Sequence, residues 1–297
     1  MTEFAPAYEA VLARWPEVEV TSMASSYGTT RVLSGGPAEA PPLVLLPGGG
    51  ATATVWFANA AALTREFRVH ALDLPGNPGY TAVSVRDAGE LCAWLDDVLS
   101  IADVPVGLVG HSYGGWVALT YALHAPDRVR RLALLDPTQC FGGFAPAYVL
   151  HALPVLMRPS RRTAGALLRW ETRGRALDPV WSLLYGLAAE QPSTGKLVTR
   201  PRPAADQLRQ LRVPTLVLLA ERSRAHDVDK VGATARRLLP HVTTTVLSRA
   251  TRHDDRHGAG RRRGHAGPGP DPQPARRNVP PRLYLNRRRE AAVAVVG

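Results

Sequence analysis

The chain alternates short runs of β-branched and aliphatic residues with longer segments in which apolar residues recur every three or four positions. The short runs predict strands and the longer segments predict helices. The predicted strands are residues 31–33, 42–46, 68–72, 106–109, 130–135, 214–220 and 242–247, and the predicted helices include residues 55–66, 88–101, 113–124 and 228–239. Asp87 and Asp227 precede two of these helices and are expected to cap them. The pattern predicts a doubly wound α/β domain with a mostly parallel sheet.

A long interval interrupts this alternation. Roughly eighty residues separate the predicted strands 130–135 and 214–220, far more than the two to six that usually join a strand to a helix. We therefore expect an inserted helical subdomain at about residues 137–212. Its aromatic residues Trp170, Trp181 and Tyr185 either line a cavity or pack the insert on the body.

The pattern fails after Leu247. Residues 249–297 contain 12 arginines, four acidic residues, six glycines and six prolines, and they carry +8 of the formal net charge of +11. Such a segment has too little apolar surface to offset its ordering entropy, so it is predicted to be a disordered basic tail. A shifted reading frame in a GC-rich gene would give the same composition. We assign residues 1–248 to the folded domain and expect only weak, salt-sensitive attraction of the tail to polyanions, with no specific nucleic-acid partner.

Composition narrows the class of protein further. Hydrophobic residues make up 45% and charged residues 21% of the 297 residues, close to the globular average. No apolar run approaches the roughly 18 residues of a membrane helix, and residues 1–10 lack a signal-peptide pattern, so we predict a cytoplasmic protein without a membrane partner. Cys92 and Cys140 are too few for a disulfide framework or a zinc site and are expected to be buried thiols. The histidines show no metal-ligand spacing, and we predict no metal and no cofactor.

The strongest local signal is Gly110-His111-Ser112-Tyr113-Gly114, which lies between a predicted strand and a predicted helix. This context is typical of a nucleophile elbow, in which a strained serine projects its hydroxyl above the sheet. The two glycines are required because the turn is tight. The helix that follows directs its amino end at the site, so the Tyr113 N–H is expected to stabilise a developing oxyanion.

A glycine-rich loop follows the predicted strand 42–46. It reads Pro47-Gly48-Gly49-Gly50, and its flexibility would allow the Gly49 N–H to reach the same oxyanion. A phosphate-binding role is disfavoured because the chain has no Gly-Lys-Ser/Thr and no Gly-x-Gly-x-x-Gly with a suitably placed acid.

With these residues the body resembles the α/β-hydrolase fold family, and more narrowly its small bacterial carboxylesterases. The resemblance covers about residues 15–248 and includes the serine motif, the glycine loop, residues 69–76 and the cap-like insert. The family usually has His-Gly where this chain has Pro47-Gly48. Membership implies a catalytic acid and a histidine, in that order, on loops after the late strands.

The acid has three candidates. The position that aligns with the family's acid holds Ser223, and Asp227 on the same loop is the preferred carboxylate. Asp136, after the preceding strand, and Glu221, nearer the strand end, are the alternatives. Any correctly placed carboxylate can orient an imidazole. The alternative role for Asp227 is the helix cap.

The histidine is expected shortly after the strand at 242–247. His253 meets this condition and is the predicted base, whereas His257 and His265 are weaker alternatives. Strict alignment places Arg252 in the catalytic position and His253 one position later. The alternation of predicted strands and helices is therefore lost at the position where the family has its catalytic histidine loop.

The resemblance implies a serine hydrolase that cleaves a small carboxylic ester or related acyl compound. Ser112 would attack the carbonyl, His253 would transfer the proton, and Gly49 and Tyr113 would stabilise the oxyanion. The expected partner is a small acyl substrate, and the oligomeric state is left open. The alternative is a catalytically impaired member of the fold that binds a small ligand or partner.

Overall fold

The computed structural model describes residues 3–192, 197–199 and 201–253. Within these residues one sheet contains β1 (Glu19–Ser25), β2 (Gly28–Gly35), β3 (Pro42–Leu46), β4 (Arg68–Leu72), β5 (Ala82–Val83), β6 (Val106–His111), β7 (Val129–Leu135), β8 (Thr215–Ala220) and β9 (Val242–Leu247). The order is β1-β2-β4-β3-β6-β7-β8-β9, with β5 paired to β2. All pairs from β4 to β9 are parallel, and the pairs made by β2 are antiparallel. The predicted α/β class with a mostly parallel sheet is confirmed.

Helices connect these strands. Within the described residues they are α1 (Phe4–Leu12), α2 (Phe57–Leu63), α3 (Ala88–Leu99), α4 (Tyr113–His124), α5 (Pro146–Met157), α6 (Arg161–Glu171), α7 (Pro179–Ala188), α8 (Ala205–Gln210) and α9 (Val228–Leu238). Both predicted caps are confirmed. Asp87 accepts hydrogen bonds from two amides at the start of α3, and Asp227 accepts one from Lys230 N at the start of α9. The predicted helix 55–66 is shorter, because a 3-10 turn (Ala53–Trp56) precedes α2.

Each face of the sheet carries its own hydrophobic core. On β3, Val44 and Leu46 belong to a core shared with α3, α4 and α9, whereas Leu43 and Leu45 belong to a core shared with α1, α2 and α7. All four side chains are completely buried. Because successive side chains of a strand point to opposite faces, one apolar run supplies both cores.

Helices α5 to α8 occupy the interval between β7 and β8 in which an inserted helical subdomain was predicted. Helix α7 contacts α1 and α6, and its Trp181 is buried in the core that α1 also enters. Helix α5, by contrast, has no buried residue. Tyr185 of α7 lies beside the glycine loop, since its hydroxyl would be 3.5 Å from a Cβ at Gly50. The insert therefore reaches the part of the sheet edge where the serine motif lies.

Most of the predicted basic tail, residues 254–297, lies outside the described residues, as do the weaker histidine candidates His257 and His265. Both cysteines, Cys92 and Cys140, are free and buried, as predicted. No helix in the described part of the chain has the length and apolar character that a membrane crossing requires.

Candidate active site

Ser112 is the single residue between the end of β6 and the start of α4. Its backbone has φ 55° and ψ −114°, a region that residues with a side chain rarely adopt. Its N–H donates to Leu135 O at 2.9 Å, and its carbonyl accepts from Gly115 N at 3.1 Å and Thr138 N at 3.3 Å. These bonds hold the strained conformation in place. The turn at Ser112 presents the serine at the carboxyl edge of the parallel strands.

Two glycines make this turn possible. A Cβ on Gly110 would collide with the carbonyl oxygen of Gly114, and a Cβ on Gly114 would collide with the carbonyl oxygens of Leu46 and Pro47. These atoms belong to the backbone of the turn and of the neighbouring strand end, so they cannot move aside as a flexible side chain would. The collisions agree with the need for small residues that the motif predicts.

The glycine loop lies against the turn. A Cβ on Gly48 would be 3.3 Å from Ser112 Cβ, and a Cβ on Gly49 would be 3.8 Å from Tyr113 Cβ. The two residues predicted to supply oxyanion N–H groups, Gly49 and Tyr113, are therefore neighbours. Tyr113 opens α4, where the first amides have no partner within the helix.

Asn77 organises the glycine loop and was not identified from the sequence. Its side chain is buried, donates to Gly48 O at 3.0 Å and Ala51 O at 3.2 Å, and accepts from Gly50 N at 3.1 Å. One side-chain amide thus bonds to three backbone groups of the loop. The signal for it was its place directly after residues 69–76, the segment that contributes to the resemblance.

Replacing Asn77 by alanine is expected to lower the free energy of unfolding by about 2–3 kcal/mol, because it leaves buried loop groups unpaired. The reaction that the serine motif predicts should slow as well, since the Gly49 amide loses its fixed position. Chemical denaturation and an ester assay measure the two effects. Asn59→Ala is the matched control: Asn59 Oδ1 has no hydrogen-bond donor within the described structure, so a change below about 0.5 kcal/mol is expected. Equal losses in both variants would contradict the role given to Asn77.

Asp73 stabilises the backbone that follows the glycine loop. Its carboxylate is completely buried and accepts from Ala53 N at 2.6 Å and Tyr80 N at 3.1 Å. Burial raises the pKa of Asp73 to about 6, and the two backbone hydrogen bonds offset only part of this rise. A carboxyl whose pKa is higher in the folded than in the unfolded chain stabilises the folded chain while it is protonated. This stabilisation is lost as the pH rises from the unfolded pKa through the folded pKa.

The free energy of unfolding of the wild type minus that of Asp73→Asn should therefore fall by about 2 kcal/mol between about pH 4 and pH 7. The variant carries a neutral group throughout, so the subtraction removes the titration of all other residues. Urea denaturation at several pH values gives the difference. A pH-independent difference would show that Asp73 titrates normally.

The loop after β9 brings Arg252 to the serine. The Arg252 guanidinium is buried, and its Nη2 donates a hydrogen bond to Ser112 Oγ. Its Nε lies 3.6 Å from Glu171 Oε1, and its carbonyl oxygen accepts from His111 Nε2 at 3.1 Å. The position that strict alignment gives to the catalytic base therefore holds a permanently charged donor.

His253, the predicted base, is placed differently. Its Nε2 lies 3.0 Å from Glu171 Oε2, and its ring packs 5.9 Å from the ring of Trp181. The prediction needs correction on this point, because the residue one position earlier in the chain is the one whose side chain meets Ser112. Glu171, at the end of α6 and buried, was not predicted, and no motif marks it.

The preferred acid, Asp227, also needs correction. It is exposed, and its carboxylate accepts from Lys230 N at 3.0 Å as the cap of α9. Glu221 is exposed and accepts from Arg249 N. Each carboxylate therefore stabilises backbone at the surface and is not directed to the serine turn.

Asp136 is the candidate acid that lies next to the turn at Ser112. It is completely buried and directly follows Leu135, whose carbonyl accepts from Ser112 N. Its carboxylate accepts from Ser223 Oγ at 2.7 Å and lies 3.3 Å from His226 Nε2. Burial alone would raise the pKa of Asp136, but its interactions with His226, Arg252 and Ser223 hold it below its ordinary value.

His226 was not predicted to take part in the site. It lies three residues after Ser223, the residue that occupies the family's aligned acid position, and is buried against Asp136. Its place on the loop after β8 could have indicated it, because that loop ends at the same sheet edge. No group of three or more His, Cys, Asp and Glu side chains in the described residues is arranged to hold a metal ion.

Comparison with known proteins supports the fold. A family model for the alpha/beta hydrolase fold matches residues 41–178. Carboxylesterase YbfK of Bacillus subtilis is 27% identical over 259 residues, which are 83% of this chain and 86% of the relative. A pimeloyl-[acyl-carrier protein] methyl ester esterase of Pectobacterium carotovorum is 32% identical over 193 residues, 59% of this chain and 73% of that enzyme.

A solved structure gives the same fold. The crystal structure of carboxylesterase CesB (YbfK) from Bacillus subtilis superposes with a TM-score of 0.80 at 24% identity, and covers 86% of this chain and 92% of that one. The sheet order, the serine turn and these similarities agree, and the chain belongs to the α/β-hydrolase fold family, with carboxylesterases among its relatives.

Proposed function

We propose that this protein hydrolyses small carboxylic esters through an acyl intermediate on Ser112, and that Arg252 keeps its turnover low. The observation that carries the proposal is the strained turn at Ser112 with Gly49 and Tyr113 beside it. Strain of this kind persists only where surrounding structure supports it, and it is typical of functional sites. Relatives named as carboxylesterases support the ester as the substrate class.

The reaction follows from these groups. Ser112 Oγ attacks the ester carbonyl carbon, and the carbonyl oxygen becomes an oxyanion that the N–H groups of Gly49 and Tyr113 stabilise. The Ser112 hydroxyl proton passes to solvent, the carbon–oxygen bond to the alcohol breaks, the alcohol leaves with a proton from solvent, and an acyl-serine remains. Water attacks this ester in the same way and releases the acid.

Arg252 affects the first of these steps. A guanidinium remains protonated at neutral pH and cannot accept the serine proton. Its hydrogen bond to Ser112 Oγ also occupies a lone pair that the attack requires. The serine is therefore held in position but not activated, and proton removal depends on solvent.

The surroundings favour an apolar acyl or alcohol group. Tyr148 lies with its ring centroid 5.4 Å from the Arg252 guanidinium carbon, and Tyr185 of α7 lies beside Gly50 of the glycine loop. Aromatic surfaces of this kind bind the apolar part of small ligands.

Hydrolysis of p-nitrophenyl butanoate by wild type and Ser112→Ala tests the proposal. We expect slow wild-type hydrolysis that falls to the background rate in Ser112→Ala. Ser84→Ala is the matched control, since Ser84 is exposed and distant from the turn in sequence, and it should retain the wild-type rate. Equal rates for wild type and Ser112→Ala would exclude Ser112 as the nucleophile.

A further inference from the structure

The two edges of the Arg252 guanidinium have different environments. The Nε edge faces Glu171, and Nη2 donates to Ser112 Oγ. Nη1 is buried, and no acceptor for it is present in the part of the chain that the structure describes. Buried donors without a partner are rare in proteins, because each carries a full desolvation penalty.

The carboxylates near this donor are engaged elsewhere. Glu171 lies 3.0 Å from His253 Nε2 and 3.6 Å from Arg252 Nε. Asp136 accepts from Ser223 and lies against His226. The described carboxylates therefore leave Nη1 without an acceptor, while Nη2 is directed at the serine turn.

Other donors converge at the same place. The Ser112 hydroxyl, the Tyr113 amide at the start of the 12-residue helix α4, and the Gly49 amide of the adjacent loop all lie around the turn. A helix amino end adds a partial positive charge. The arrangement offers several donors to an acceptor that carries negative charge.

A carboxylate matches this arrangement. Its two oxygens can accept from Nη1 and Nη2 in the parallel geometry that arginine and carboxylate form. A dianion such as phosphate is disfavoured because Asp136 and Glu171 remain nearby as negative charges. The ring of Tyr148, whose centroid lies 5.4 Å from the guanidinium carbon, favours an apolar group on the acid.

We propose that Arg252 and the serine turn form a receptor for the carboxylate group of a small apolar monocarboxylic acid. The acid released by ester hydrolysis belongs to this class, but the receptor requires no turnover. Binding is therefore independent of the proposed function and should persist in Ser112→Ala.

Isothermal titration of the full chain with sodium butanoate tests the receptor. We expect butanoate to bind at least about tenfold more tightly than the neutral isostere butanamide, because only the carboxylate forms charge-assisted bonds. Arg252→Gln should weaken butanoate binding at least about tenfold. Arg130→Gln is the matched control on an exposed arginine of β7 and should bind as the wild type does.

Several results would overturn the proposal that Arg252 and the serine turn bind a carboxylate. These are equal affinity for butanoate and butanamide, wild-type affinity in Arg252→Gln, an equal loss in Arg130→Gln, or tighter binding of inorganic phosphate. If Arg252→Gln does not fold, the Arg252 side-chain N–H resonances of the wild type replace it: butanoate should shift them and butanamide should not. Absence of a shift overturns the proposal.

The same protein separates this proposal from the proposed function. Butanoate binding without detectable ester hydrolysis would support the receptor and exclude the hydrolase. Hydrolysis that depends on Ser112, without binding of butanoate, would support the hydrolase and exclude the receptor.

Discussion

Arg252→His should raise kcat/KM for p-nitrophenyl butanoate by about 10²–10⁴, the usual contribution of a general base. The substitution replaces a donor that cannot accept a proton with an imidazole at the same position of the chain. The Arg252 carbonyl accepts a hydrogen bond from His111 Nε2, so the backbone at position 252 is held beside the serine. Asp136 is buried directly after Leu135, whose carbonyl accepts from Ser112 N, so a carboxylate lies beside the serine turn as the acid of the new pair.

Two further variants separate the causes of this gain. Arg252→Gln removes the positive charge beside Ser112 Oγ without supplying a base. The rate of ester hydrolysis by this variant should stay within about tenfold of the wild-type rate. Ser112→Ala combined with Arg252→His should abolish the gain. An Arg252→His enzyme no faster than wild type would show that position 252 is not where the base is needed.

Gly110→Ala should lower the free energy of unfolding by at least about 3 kcal/mol, or prevent folding, because the added Cβ collides with the backbone of Gly114. The turn at Ser112 joins the central strand β6 to α4, so a shift there disturbs both cores. Urea denaturation measures the loss.

Gly165→Ala provides the matched control. Gly165 lies inside α6, and a Cβ there would meet only the end of the Arg169 side chain, at 3.5 Å. Alanine is the better helix former, so this variant should be more stable by about 0.5–1 kcal/mol. A Gly110→Ala protein as stable as Gly165→Ala would contradict the close packing described for the turn.

The strands that are buried on both faces of the sheet could be predicted from the sequence. Strands such as β3 read as continuous apolar runs, and the caps Asp87 and Asp227 marked the starts of their helices. Strand β1 was not predicted because its residues are largely polar and exposed or half-exposed, and it is ordered by antiparallel pairing with β2. The formation of this edge strand therefore depends on tertiary contacts that its own sequence does not show.

The site was predictable only in its local part. Ser112, Gly49 and Tyr113 belong to motifs whose conformation depends on neighbouring residues. Glu171 and His226 are positioned by helices and loops remote in sequence, and no short pattern encodes such an arrangement.

The choice between neighbouring residues was harder to make. Arg252 and His253 are adjacent, so spacing after β9 fits both, yet their side chains point in different directions and only Arg252 contacts Ser112. Asp227 fitted the expected loop but serves as a cap, whereas Asp136 is buried beside the turn. Distinguishing them required three-dimensional positions.

Covalent labelling of Ser112 by a fluorophosphonate, followed by intact-protein mass spectrometry, tests the central claim most directly. The reagent reacts with an activated serine hydroxyl, so its rate reports on the groups that contact Ser112 Oγ. We expect one adduct at Ser112, formed at least about tenfold faster in Arg252→His than in wild type. Equal labelling rates in the two proteins, or an adduct that persists in Ser112→Ala, would contradict it.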